Sequence, residues 1–293
     1  MAKFLKKHLV TIILYTALLI GLCLLLYPSV ADWWNSMHQT RAIASYVEAV
    51  EDMSGEEMEA LLEEARIYNW DLAARGITFQ LTEEQQVEYE SVLDISGTGI
   101  IGYVQVPKIN VNLPIYHGTD EAVLQIAVGH IEGTSLPIGG ESTHSVLSGH
   151  RGLPSAKLFT DLDQILEGDI FTITVLNQTI TYQVDQIRIV EPTDVSELQI
   201  IPGEDHCTLV TCTPYGINTH RILVRGTRID NINENVMESA DAVRVQPYIA
   251  IPVIVIPLIF MILLGLLIYY RFKKPPKTNE ALLEDIKEVA DKE

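Results

Sequence analysis

Thr208-Leu209-Val210-Thr211-Cys212-Thr213-Pro214-Tyr215-Gly216-Ile217-Asn218-Thr219-His220-Arg221-Ile222-Leu223-Val224-Arg225-Gly226 holds two short runs of β-formers around a turn. The first run alternates and ends in a cysteine. The Pro-Tyr-Gly that comes next signals a turn, and the second run starts at His220. An antiparallel hairpin over this stretch returns Arg221 to the side of Cys212. A cysteine at a strand end, just before a turn, is exposed and rigidly held. The nucleophile of thiol chemistry is the thiolate, which a cationic neighbour favours. A guanidinium there can also stabilise an oxyanion; its bland alternative is a surface salt bridge, and the residues alone leave both open. His220 has the opposite parity to Arg221 and is the weaker candidate.

Further out, Ile100–Val106, 142–149, 169–175, 179–190, 207–213 and 220–229 are rich in β-branched residues, with Gly, Pro, Asn and Asp signals between them. Such short strands at regular spacing predict a closed barrel or a sandwich. Ala156–Leu166 and Val195–Leu198 read as short helical crossings. Upstream, about Thr40 to Tyr89 is helical in pattern, with apolar Val47, Val50, Met58, Leu61, Leu62 and Ala65 at three- and four-residue spacing. Ser54 with Glu57 reads as a capping box. The periodicity weakens over Tyr68–Leu81.

Two uncharged apolar blocks flank this middle region. Residues 9–27 and 248–270 are each long enough to cross a bilayer as a helix. Lys3, Lys6 and Lys7 precede the first; Arg271, Lys273, Lys274 and Lys277 come after the second. The positive-inside rule then puts both termini in the cytoplasm and the chain between the spans outside. A cleaved signal peptide is the rival for the first block, but its apolar run is long and leads into Pro28, Trp33 and Trp34. The expected organisation is a cytoplasmic start (1–8), a span (9–27), an extracellular helical, lid-like region (28–96), a β domain (97–230), a linker (231–247), a second span (248–270) and a cytoplasmic tail (271–293).

A net charge of −19 argues against nucleic-acid binding. Between Glu48 and Asp94 the acidic residues far outnumber Arg66 and Arg75, which reads as a solvated helical face. Of three cysteines, Cys23 falls in the first span. Cys207 and Cys212 lie five residues apart on one strand, so they face opposite ways and do not suit a disulfide. Cys207 is expected in the core. A metal site from His206, Cys207 and Cys212 fails on ligand count and on the same parity, and no cofactor or metal is expected. For a general acid/base, His150 closes Ser145-Val146-Leu147-Ser148-Gly149, where glycine permits close backbone approach. His144 shares its parity, and strand geometry alone leaves it open.

Taken together, TLVTCTPYGINTHRILVRG (208–226) resembles the signature of sortases, specifically the pilin-polymerising class C group. The family's TLxTC motif matches Thr208–Cys212, and its downstream arginine matches Arg221. STHSVLSGHRGLPSAKLFTDLD (142–163) is similar to the family's histidine motif and maps its catalytic histidine onto His150. GHIEGTSLPIGG (129–140) and IGYVQVPKINVNLPIYHGT (101–119) resemble further parts of the group. The resemblance implies an eight-stranded sortase β-barrel with short helices, an N-terminal helical extension and two flanking transmembrane helices. It implies a thiol-peptidase-like transpeptidase with Cys212, His150 and Arg221 as catalytic residues. Its substrates would be LPXTG-bearing pilin or surface proteins, cut between Thr and Gly through a thioester. A pilin lysine amine would resolve the thioester at the plasma membrane of a Gram-positive bacterium.

The rival acceptor is a peptidoglycan cross-bridge amine, and the rival class is a non-enzymatic scaffold for pilus assembly. The group's usual Asp-Pro-aromatic lid triplet is missing from this sequence. Trp70-Asp71 and Tyr89 are the residues of the helical segment that could approach the groove.

Overall fold

The computed structural model describes residues 2–95 and 97–231, together with Ile259 and Leu263. The expected linker, second span and cytoplasmic tail lie outside the described residues, apart from Asn231, Ile259 and Leu263. The chain divides into two units, Met1–Ala242 and Val243–Glu293; all the helices and strands named below belong to the first.

Three helices precede the barrel: α1 (Ala2–Glu51), α2 (Gly55–Arg75) and α3 (Glu83–Ser91). α1 continues through Pro28. Its N-terminal part carries an apolar window of mean hydropathy 2.1, none of it buried, and it is the one helix among the described residues fit by length and composition to cross a membrane. Both later helices open with full capping boxes. Ser54 pairs reciprocally with Glu57, and Thr82 with Gln85, which satisfies otherwise orphaned amides. α2 runs through to Arg75, although its apolar periodicity fades after Tyr68. Leu62, Ala65, Tyr68 and Leu72 bury one face, and packing of such a face decides helicity more than propensity does.

Eight strands complete the unit: β1 (Ile100–Val106), β2 (Val111–His117), β3 (Val128–His130), β4 (Thr143–Ser148), β5 (Ile170–Val175), β6 (Gln178–Val190), β7 (Asp205–Thr213) and β8 (His220–Ile229), with the one-turn α4 (Glu121–Leu124) between β2 and β3. They close a barrel in the order β1-β2-β3-β4-β7-β8-β6-β5, which leaves no free edge. Two neighbouring pairs, β2–β3 and β4–β7, are parallel; the others are antiparallel. Inward residues such as Val104, Ile115, Leu147, Phe171, Tyr182, Leu209 and Val224 form one core with α2 and α3.

The expected crossing over 156–166 is not helical. It is a run of turns with a single 3-10 turn at Leu162–Gln164, pinned by buried Phe159, Leu162 and Ile165. At Val195–Leu198 the expected short helical crossing is also a 3-10 turn (Ser196–Leu198).

Strand direction fixes which loops share an end. β1, β4 and β7 finish at the same end of the barrel at which β2, β5 and β8 begin. The loops after β4 and β7 therefore neighbour the β1–β2 turn. The opposite end collects the start of β4 and the end of β8.

Buried histidines link the helical layer to the barrel and set an acid limit. His130 donates from Nε2 to Ser135 O (2.8 Å) and accepts at Nδ1 from the Tyr89 hydroxyl (3.0 Å). His144 donates from Nδ1 to Gln199 O (3.0 Å) and accepts at Nε2 from Thr208 Oγ1 (2.7 Å). Desolvation holds His130 down at about 3 and His144 at about 4. Both folded values lie below the roughly 6.5 of an unfolded histidine, so below that pH the unfolded chain binds protons the folded chain does not. Their stabilisation is complete above about pH 6.5 and is lost as the pH falls through 4 towards about 3. Thermal midpoints of the full chain in detergent should fall across that window, and a flat profile would contradict the neutral, buried assignment.

Candidate active site

β7 presents its two cysteines to opposite environments. Cys207 is fully buried in the core, where desolvation pushes its thiol well above the ordinary range. Cys212 is half-buried at the strand end, and both are free thiols. Only Cys212 is accessible enough to act on a substrate.

Arg221 lies directly opposite Cys212 in the β7–β8 ladder, which puts their Cβ atoms about 5 Å apart on one face. The guanidinium donates from Nη1 to Asn218 O (3.3 Å) and His220 O (3.0 Å). Among the described residues no carboxylate pairs with it, so its charge is left for another anion.

His150 arrives from the other side of β7. The parallel β4–β7 register ends at Ser148 opposite Val210. Gly149 extends it: its amide donates to Val210 O (3.0 Å), and Thr211 Oγ1 donates to Gly149 O (2.6 Å). The next pair in this register is His150 with Cys212. A Cβ at Gly149 would meet the Phe159 ring at 2.7 Å, so glycine is what lets the strand end lie this close.

The histidines separate cleanly. His144 sits six residues back along β4 and is committed to the core, bonded to Gln199 and Thr208. His220 faces Glu191 (3.3 Å) at the hairpin, and His206 is buried beside Glu204 (3.0 Å). His150 keeps a partly exposed ring, with Nε2 3.5 Å from Glu121 Oε2. Hydrogen bonds from Gln125 first, and then His150, hold the exposed Glu121 carboxyl below its usual range.

Two residues that sequence pattern alone does not single out complete the frame. Glu121 on α4 is one; α4 and β3 give no clear periodic signal. Arg151 is the other, and its place beside His150 in Ser148-Gly149-His150-Arg151-Gly152 is the available hint. Its side chain is only 7% exposed and bonds the Asp163 carboxylate. It also donates to Thr213 Oγ1 (3.3 Å) and lies 5.7 Å from the Tyr215 ring centroid. It thus ties the His150 loop to the strand end carrying Cys212. Arg151→Met should cost about 1–3 kcal/mol, the scale of charge-assisted bonds. Peptide cleavage should fall by up to about 10²-fold, as expected for an ångström's misplacement. Chemical denaturation and initial rates would check both; unchanged rates would contradict the bracing role.

The residues of the helical segment that could have approached the groove are placed away from Cys212. Tyr89 is fully buried, its one hydroxyl proton shared between His130 Nδ1 (3.0 Å) and His130 O (3.1 Å) while the oxygen accepts from Gly118 N (2.9 Å). Trp70 lines a shallow cleft with Gly139–Thr143, at the start of β4 and so at the far end of the barrel. Among the described residues no hydrogen bond or ion pair joins Trp70, Asp71 or Tyr89 to Cys212, His150 or Arg221.

Residues 104–229 match the Sortase domain family. Sortase C1 from Streptococcus agalactiae is 53% identical, with a TM-score of 0.65 over 66% of this chain and 100% of that one. Sortase C from Clostridium perfringens, solved with the C-terminal cell wall sorting motif, is 43% identical, with a TM-score of 0.59 over 66% of this chain and 100% of that one. Sortase D of Bacillus subtilis is 30% identical over 131 residues, which span 44% of this chain and 63% of that protein. The closed eight-stranded barrel matches the sortase fold, and this chain belongs to the sortase family. Its structural neighbours are class C members of that family.

Proposed function

We propose that this chain is a membrane-tethered cysteine transpeptidase that polymerises pilin subunits. The observation carrying the reading is the β7 strand end, where Cys212 has Arg221 opposite it on β8 and His150 in register from β4. The bound substrate is an LPXTG-like sorting signal. Cys212 Sγ attacks the Thr carbonyl carbon, and the charge that develops on oxygen is met by the Arg221 guanidinium, which no carboxylate among the described residues neutralises. As the C–N bond breaks, His150 gives its proton to the departing glycine amine. A thioester remains. An incoming amine then attacks it, His150 takes up the amine proton, and the new amide releases Cys212.

Residues 97–230 form the catalytic domain in this reading, and 28–96 the helical region before it. The apolar stretch 9–27 is a retained anchor, 231–247 a linker and 248–270 a second span. Both termini are cytoplasmic and the barrel faces outward, at the plasma membrane of a Gram-positive bacterium.

The acceptor is a lysine amine on a second pilin. This assignment is supported by the likeness to class C sortases over the whole of their solved chains. Acceptor competition tests it. The full chain in detergent would be given an LPXTG peptide with equal amounts of a lysine-bearing pilin fragment and a cross-bridge peptide. The isopeptide product should dominate. Dominance of the cross-bridge product would move the assignment to cell-wall anchoring.

A further inference from the structure

α1 does not merely precede the barrel; it is clamped along it. Asp32 Oδ1 accepts from Lys157 N (2.7 Å), Asn35 Nδ2 donates to Ser155 O (2.8 Å), and Gln39 Nε2 donates to Ile126 O (2.7 Å). Two turns further, the Tyr46 hydroxyl donates to Ile101 O (3.1 Å) and accepts from Leu176 N (2.7 Å). Asp32, Asn35, Gln39 and Tyr46 share one helix face. Their order fixes the direction of the strut. Ser155 and Lys157 belong to the loop that begins at His150, and Ile126 leads into β3 at the same end. Ile101 and Leu176 lie at the opposite end, where β1 begins and β5 finishes. The helix therefore meets the Cys212 end first, counted from its apolar N-terminal part.

The distance is short. The apolar run closes at Tyr27, and Asp32 is five residues on, about 7.5 Å along a helix. Trp33 and Trp34, both exposed, sit at that junction, where aromatic side chains favour a membrane interface. The loops of the same end also expose large apolar side chains: Leu166 (62%), Tyr215 (59%) and Ile217 (68%). A cluster of exposed apolar groups such as this one marks an interaction surface.

We infer that the end of the barrel bearing Cys212 and His150 rests on the lipid bilayer, with Leu166, Tyr215 and Ile217 seated at the boundary between headgroups and acyl chains. This rests on the proposed reading of residues 9–27 as a membrane anchor. The occupant is lipid because the clamp brings this rim to within about two helical turns of the apolar run. The groove then opens along the membrane surface, and a peptide must enter it from the side.

Photolabelling tests the orientation. The full chain is reconstituted in phosphatidylcholine–phosphatidylglycerol vesicles containing a phospholipid with a diazirine near the top of one acyl chain. Adducts are then mapped by proteolysis and mass spectrometry. Trp70 serves as the internal control, since it is 73% exposed but lies at the far end. Labelling is expected on 9–27, and on 164–168 and 214–219 at roughly tenfold the level of the Trp70 segment. Ile217→Asp should lower labelling of 164–168 and leave that of 9–27 unchanged, because a charge is driven out of the boundary. Labelling of 9–27 with both loops at the Trp70 level would overturn the orientation while leaving the anchor reading intact. Absence of labelling on 9–27 would overturn the anchor reading and the orientation with it.

Discussion

Cys212→Ala is expected to abolish transpeptidation, with residual turnover below about 10⁻⁴ of the parent rate, the scale seen when a covalent nucleophile is removed. Without Sγ no thioester forms, and neither His150 nor Arg221 can replace it. The informative partner is Cys207→Ala on the same strand. Cys207 is wholly buried and its thiol is pushed up by desolvation. Its loss opens a small void and costs about 1 kcal/mol while the rate stays near that of the parent. Peptide cleavage and thermal denaturation on the two variants separate chemistry from packing. A rate loss shared equally between them would contradict the division of roles along β7.

Arg221→Ala is expected to lower kcat by about 10²–10³-fold, the usual cost of one oxyanion donor, and to change KM far less. Geometry is the ground for this. Arg221 is held opposite Cys212 by the ladder, its own hydrogen bonds go to the carbonyls of Asn218 and His220, and no carboxylate among the described residues neutralises it. A side chain kept for stability would have an acidic partner, as Arg225 has in Asp185 (2.6 Å) and Arg228 in Asp205 (3.2 Å). Folding stability should consequently change little. Arg221→Lys should recover only part of the rate, because a point charge lacks the planar fork of donors. Steady-state kinetics decide the matter. A change confined to KM would make Arg221 a peptide-binding residue instead.

The hairpin that carries Cys212 and Arg221 is legible from sequence because both of its strands are rich in β-branched and apolar residues and flank a Pro-Tyr-Gly turn signal. Its second strand, His220–Ile229, is placed as the pattern predicts. His150 is only half legible. Its own strand can be seen, but the choice over His144 depends on which residue meets the end of β7. That in turn depends on a parallel pairing between strands separated by β5 and β6, and no local pattern records it.

β2 and β3 are hidden for different reasons. Pro114 interrupts the first, and the second has three residues, too few for any period. The loop at 156–166 reads as helical because Ala156, Phe159, Leu162, Ile165 and Leu166 are apolar at near-helical spacing. The first four are buried and plug the barrel end instead, Leu166 is exposed, and Leu158 has a positive φ of 39° that no α-helix contains. By sequence Tyr89 is free to reach the groove, yet its hydroxyl closes a buried network with His130 and Gly118. Aromatic residues with a polar tip are buried where such partners exist.

The most direct test of Cys212 as nucleophile is trapping the acyl-enzyme. A soluble form spanning residues 32–240 would be incubated with an LPXTG peptide, quenched in acid and weighed intact, then digested to locate the added mass. The expected result is a gain equal to the peptide cut after threonine, mapped to the segment containing Cys212 and labile to hydroxylamine. An adduct on Cys207, or cleavage of the peptide with Cys212 never acylated, would contradict the assignment.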